Sequence, residues 1–295
     1  LSRAPEKVLL GTDGSEEARL AARAAAGICA GTGAGLHVVH AWQTVPIARL
    51  SSSMRTELER AGREKLEAEV QMLNEAGAQV SGADLAEGRP ADEILDLAGR
   101  LGADLIVVGS RGLGGVGRLA LGSVAQEVVY HATCPVLVLR RASSWPPGRV
   151  VFAEDGSPAA RKASETAAGL CSGYGVDGVL VRAYPQLPEV DVEGREYDAR
   201  MVEDDMRLQE RELMRRAGEL EAELGSRPRV NLTVGDPVSC ILQASGEEAP
   251  EGTLVSLGSR GLGPVGRVRL GSVSAKTLHA ARGPVLVHPP HGDQG

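Results

Sequence analysis

The chain repeats itself, and that repetition limits its fold more than any other feature. The segment GSRGLGGVGRLALGSV at 109–124 returns as GSRGLGPVGRVRLGSV at 258–273, displaced by 149 positions with thirteen of sixteen residues identical. KVLLGTDGSEEARLAARAAA at 7–26 returns as RVVFAEDGSPAARKASETAA at 149–168, displaced by 142. CPVLVLR at 134–140 returns as GPVLVHP at 283–289, again displaced by 149. The matches keep their order, so a domain of about 140 residues, an ordinary size, has been duplicated in tandem. The predicted domains are 1–142 and 150–289, joined by the Pro- and Gly-bearing linker SSWPPGR at 143–149 and followed by a tail at 290–295.

Within each copy, short apolar runs alternate with helical patterns. In the first copy strands are predicted at 8–10, 36–40, 79–85, 105–108 and 136–139. An Ala-rich helix capped by Asp13 or Ser15 follows the first strand, and further helices cover 56–75, 91–101 and 123–131. The second copy repeats this with strands at 150–152, 179–181, 230–234, 254–257 and 285–287, a long charged helix at 196–224 and a helix at 272–279. Leu58, Leu66, Val70 and Leu73 are expected to form the inner face of 56–75, and Met201, Leu208, Leu213 and Leu220 that of the long helix. Five short strands, each followed by a helix, require a parallel sheet covered on both faces. Right-handed crossovers then favour two doubly wound, five-stranded domains of strand order 3-2-1-4-5. Composition agrees: 42% of residues are hydrophobic, yet there are only one Phe, two Trp and four Tyr. The core must be built from Val, Leu, Ile and Ala.

In that strand order, ligands bind outside the carboxyl ends of strands 1 and 4, where the winding reverses. Gly11-Thr12-Asp13-Gly14-Ser15 lies at the first place. At the second, Gly109-Ser110-Arg111-Gly112 is followed by nine residues and then Gly122-Ser123, which opens a helix. The free N–H groups of a helix's first turn suit a phosphate, with Ser123 either capping the helix or bonding a phosphate oxygen. Arg111 and Arg118 in this loop, and Arg260, Arg267 and Arg269 in its repeat, face no acid within either segment. A purely basic loop in an acidic protein is consistent with an anionic ligand. Gly112-Leu-Gly114-Gly-Val-Gly117 matches the dinucleotide pattern literally, but it follows the fourth strand and has no acid about twenty residues on. A GxxxxGK[ST] loop is absent, and no Ser, His and Asp set recurs between the copies to make a hydrolase triad.

Acidic residues outnumber basic ones 39 to 32, a net charge of −7 that argues against a nucleic-acid partner. No apolar stretch approaches the ~20 residues of a membrane span. The four cysteines form no CxxC pair and the N-terminal residues lack the apolar run of a signal peptide, so a cytosolic protein with reduced thiols is expected.

The doubled spacing Gly109-x2-Gly112-x9-Gly122-Ser123 and Gly258-x2-Gly261-x9-Gly271-Ser272 resembles the ATP-binding signature of the universal stress proteins, as do Thr12-Asp13-Gly14-Ser15 and Asp155-Gly156-Ser157. The resemblance spans nearly the whole chain and implies an adenine nucleotide α-hydrolase-like fold with ATP as ligand, its phosphates accompanied by magnesium or manganese. It implies that Thr12 and Asp13 flank adenine and ribose and that Ala41 lies against the adenine. Val108 and Gly109 would meet the ribose and Gly112 the phosphates, with Gly122, Ser123, Val124 and Ala125 cradling the phosphate tail. In the second copy Asp155, Ala183, Leu257, Gly258, Gly261, Gly271, Ser272, Val273 and Ser274 would act likewise. There Glu154 replaces Thr12 and would repel phosphates unless a divalent cation intervenes, and a Gly- and Pro-broken stretch at 245–252 precedes the fourth strand, so the first site is expected to bind ATP more tightly. Trp42 and Tyr184, at equivalent positions, either cover the adenine or pack on its rim. His40 is read as structural, and Cys29 and Cys171 as small buried hydrophobes. The resemblance also makes the fifth strand a dimer contact, which a tandem chain satisfies internally as a pseudo-dimer, with or without further pairing of two chains. The expected role is a nucleotide-dependent stress-response module. The rival expectations are a slow ATPase or autokinase, and a nucleotide-free scaffold.

Overall fold

A computed structural model describes residues 4–42, 51–113, 121–140, 143–186, 199–246, 252–259 and 270–290. The first copy comprises β1 (Lys7–Thr12), α1 (Glu16–Thr32), β2 (Gly35–Trp42), α2 (Ser52–Glu75), β3 (Val80–Glu87), α3 (Pro90–Leu101), β4 (Leu105–Gly109), α4 (Ser123–His131) and β5 (Val136–Leu139). The second follows as β6 (Arg149–Ala153), α5 (Pro158–Cys171), β7 (Asp177–Tyr184), α6 (Ala199–Leu224), β8 (Arg229–Val234), α7 (Pro237–Ser245), β9 (Thr253–Gly258), α8 (Ser272–Ala280) and β10 (Val285–His288).

The strands form one ten-stranded sheet in the order β3-β2-β1-β4-β5-β10-β9-β6-β7-β8. Each copy therefore has the order 3-2-1-4-5, as its alternating pattern predicts, and all pairings inside a copy are parallel. The one antiparallel junction joins the copies. Val136, Leu137 and Val138 of β5 lie opposite Val287, Leu286 and Val285 of β10. Because these are repeat-equivalent positions, a local two-fold passes between Leu137 and Leu286, and two apolar edge strands cover each other.

Alternation along the strands sorts the core into two layers. Val8 and Leu10 of β1 face α1 and α2, in a cluster that continues across the junction to α5 and α6. Leu9 faces the opposite way, into a cluster shared by α3, α4, α7 and α8. Ala21, Ala22 and Ala25 let α1 lie close on the sheet. Across the junction the Tyr174 hydroxyl donates to the Gly27 carbonyl at 3.0 Å, and the buried Arg140 donates to the Leu278 carbonyl. Trp145 of the linker packs over Gly27 and onto the first core layer, so that connector is part of the fold.

The outer halves of the two long helices depart from expectation. Leu66 and Leu73 are buried in α2 and Leu213 and Leu220 in α6, but Leu58, Met201 and Leu208 are exposed. Their spacing fits a helix, yet these N-terminal turns leave the three side chains in solvent. Ser15 is the cap of α1, accepting from the Ala18 N–H at 3.2 Å, while Asp13 is used elsewhere.

Candidate functional site

At the carboxyl ends of β1 and β4 lies a cavity of about 390 Å³, within the range of small-molecule sites. Gly11, Thr12 and Asp13 come to it from β1, Val39 and Ala41 from β2, and Pro90 and Ile94 from α3. Val108 to Leu113 approach from β4 and its following loop, and Gly122, Ser123, Val124 and Ala125 from the start of α4. All ten first-copy candidates, including Gly109 and Gly112, thus surround one space. Ala18, Val39, Pro90, Ile94 and Leu113 were not foreseen, because an apolar lining residue has no spacing that separates it from core. A larger recess of about 690 Å³ beside α2 is edged by long side chains such as Arg63, Glu67 and Gln71. No glycine loop or helix start converges on it.

The cavity has two unlike ends. Val39, Ala41, Ile94 and Val108 make one side apolar. The other side is the first turn of α4, where Gly122 is the cap residue and no side chain caps the helix. Ser123 is the first helical residue and not the cap, so its hydroxyl is not used for capping. An uncapped first turn presents N–H donors and the positive end of the helix dipole. The Gly122 N–H folds back to the Ser110 carbonyl at 2.7 Å, which fixes where that turn begins.

Asp13 ties the two motif segments together. One carboxylate oxygen accepts the Ser15 N–H and the other the Leu113 N–H, both at 2.9 Å. The Ser15 hydroxyl adds a bond to the Arg111 carbonyl at 3.3 Å. A Cβ on Gly112 would run into the Asp13 carboxylate, so the glycine is required by this clasp. Gly109 is required by packing: a Cβ there would come within 2.9 Å of the Ala18 nitrogen in α1.

Arg111 is not the unopposed cation its own loop suggests. Its Nε and Nη2 donate to one oxygen of Glu17 at 2.8 and 2.5 Å, and the Ser110 hydroxyl donates to the other. Glu17 belongs to the first turn of α1 and is only 4% exposed. Arg118 falls outside the described residues.

The second copy reproduces what can be compared. Asp155 accepts the Ser157 N–H at 2.9 Å, and the Gly271 N–H returns to the Ser259 carbonyl at 2.6 Å. Gly271 caps α8, again with no side-chain bond, and Ser272, Val273 and Ser274 form its first turn. The Ser274 hydroxyl, where the first copy has Ala125, donates to the Gly258 carbonyl at 2.7 Å. Gly258 lies against the Ala160 nitrogen as Gly109 lies against α1. Ala183 precedes Tyr184, the last residue of β7, and Leu257 is buried in β9. Gly261, Arg260, Arg267 and Arg269 lie outside the described residues, as does the stretch 247–251.

Glu154 corrects an expectation. Its carboxylate does not face the ligand end of the sheet; it is buried against α5 and α6, accepting from the Ser164 hydroxyl at 3.0 Å and Arg216 Nε at 3.4 Å. Burial pushes its carboxyl above the usual range, against the pull of Arg216. Thr12, its counterpart, neighbours Glu69, whose carboxyl burial also raises and the Thr12 hydroxyl lowers. The swap of Thr12 for Glu154 is answered inside the protein, and that reason for a weaker second site disappears.

Trp42 sits beside Gly62 of α2, and Tyr184 is buried with Asp205 of α6 as its partner. Neither reaches the ligand side. His40 is buried, its Nδ1 donating to the Thr12 carbonyl at 2.8 Å, a structural role. Burial pushes the Cys29, Cys134 and Cys171 thiols up to about 12, so they are not thiolate nucleophiles at neutral pH. Among the described residues no three His, Cys, Asp or Glu side chains converge as a metal site, and no helix is long and apolar enough to cross a membrane.

A parallel α/β sheet with a cleft outside its reversal point is the doubly wound class, here built twice. Within that class, the family model described as "Universal stress protein family" matches residues 5–140 and again 147–289, and the chain belongs to that family. A universal stress protein of Mycobacterium tuberculosis is 31% identical over 95% of this chain and 96% of its own length. One from Thermus aquaticus is 45% identical over 45% of this chain and 97% of its own length, a single copy. A universal stress protein structure from Archaeoglobus fulgidus superimposes with a TM-score of 0.69 at 23% identity, covering 97% of this chain and 99% of that one.

Proposed function

We propose that this universal stress protein binds an adenine nucleotide, ATP foremost, in each copy, and that the bound nucleotide changes what the protein contacts. The observation that carries this reading is the pairing of an apolar wall with the uncapped start of α4 in one cavity. A base is desolvated at one end while its phosphates meet aligned N–H donors at the other. Magnesium or manganese would accompany the phosphates as part of the ligand. Both Asp13 oxygens already accept backbone N–H groups, which supports a binding module over rapid turnover. Four unpaired cysteines suit a reducing compartment such as the cytosol.

Calorimetric titration of the full chain with ATP and a divalent ion tests the proposal. Two nucleotides per chain are expected. Gly112→Val, which breaks the clasp with Asp13, should leave one. Absence of binding to the unaltered protein would refute the reading and favour a nucleotide-free scaffold.

A further inference from the structure

We infer that Glu17 is a specificity-determining residue of the first cavity, setting how much phosphate charge it accepts, and that the second copy, lacking this acid, takes the more highly charged tail. The inference rests on the nucleotide reading above and assigns a preference to each of its two sites.

Three observations carry it. First, Glu17 takes both the Nε and Nη2 donors of Arg111, the cation that lines the cavity beside the α4 start. A guanidinium engaged in this way gives its directed bonds to carboxylate, and a phosphate must compete for them. Second, Glu17 is buried, so little water screens its charge from a phosphate in the adjoining space. Third, the duplication supplies its own comparison. The position equivalent to Glu17 is Ala159, which is buried. Ser259, equivalent to Ser110, is 1% exposed, and among the described residues its hydroxyl has no partner where Ser110 has a carboxylate. A buried hydroxyl in that place is positioned to donate to an oxygen acceptor. Arg260 follows it in sequence, as Arg111 follows Ser110.

Glu17 also fastens the β4 loop to α1, so loss of binding on truncation would not separate the two roles. Glu17→Gln keeps the shape and an oxygen to accept from Ser110 while removing the charge. Methyl NMR separates the copies during titration with AMP, ADP and ATP, Val108 and Val124 reporting the first cavity and Leu257 and Val273 the equivalent positions of the second copy. In the unaltered protein, the ratio of ATP to AMP affinity should be smaller at the first site than at the second. Glu17→Gln should raise that ratio at the first site by roughly tenfold to a hundredfold, the range of one charge-assisted bond. AMP affinity should change less than about threefold, since one phosphate leaves Arg111 its partner. Ala159→Glu, which gives Ser259 an acceptor, should lower the ratio at the second site. Equal effects on AMP and ATP, or an unchanged ratio in Glu17→Gln, would overturn the inference while leaving nucleotide binding intact. Failure of every nucleotide to shift either set of methyls would overturn the binding reading itself.

Discussion

Single buried residues explain why the two copies are not interchangeable. Thr12 neighbours Glu69 in the first, and Glu154 meets Arg216 in the second, so each copy treats this buried position in its own way. One Glu69 oxygen has no partner, and burial raises its carboxyl above the ordinary value of 4.5. An acid raised on folding favours the native state when protonated. That contribution is complete below the ordinary value and is lost as pH rises through the higher native one. Glu69→Gln should therefore match the unaltered protein near pH 4.5 and exceed it in stability at pH 7.5, as urea melts at both values would read. A constant difference across that range would count against the assignment. At this scale the sequence is least legible. Asp13 is conspicuous in its motif, but Arg111 and Glu17 are 94 positions apart, and only the fold brings them together.

Elements were far more legible, because periodicity and apolar runs are local signals. The strands and the start of α4 fall where pattern and glycine place them. The N-terminal turns of α2 and α6 do not behave as their spacing predicts, since a 3.6-residue repeat says which residues share a face and not whether anything lies opposite. Met201 and Leu208 share α6 with the buried Leu213 and Leu220 but project into solvent. The paired edge strands give the sharpest element-scale prediction. Leu137 and Leu286 are fully buried and directly opposed. Leu137→Ala and Leu286→Ala should each cost about 2–5 kcal/mol in denaturant melts. The double variant should cost less than their sum, because both truncations open one shared space. Full additivity would argue that the junction is not where these side chains meet.

At the scale of the molecule, duplication turns a dimer-type contact into an internal one. The expectation that the fifth strands pair copy against copy comes with the family resemblance, and the apolar edge each strand would otherwise leave in water gives it a physical reason. A protein cut to the first copy, 1–142, exposes Val136, Leu137 and Val138 again. It should associate into dimers on light scattering, and a stable monomer at micromolar concentration would contradict the role given to that strand. Antiparallel joining has one more outcome. Since β5 and β10 run in opposed senses, the carboxyl ends of the two half-sheets point to opposite rims of the molecule. The carboxyl ends of β1 and β6 therefore look away from each other, like the sockets of a double-ended wrench. An occupant of one end stands clear of the other, and neither blocks its counterpart sterically.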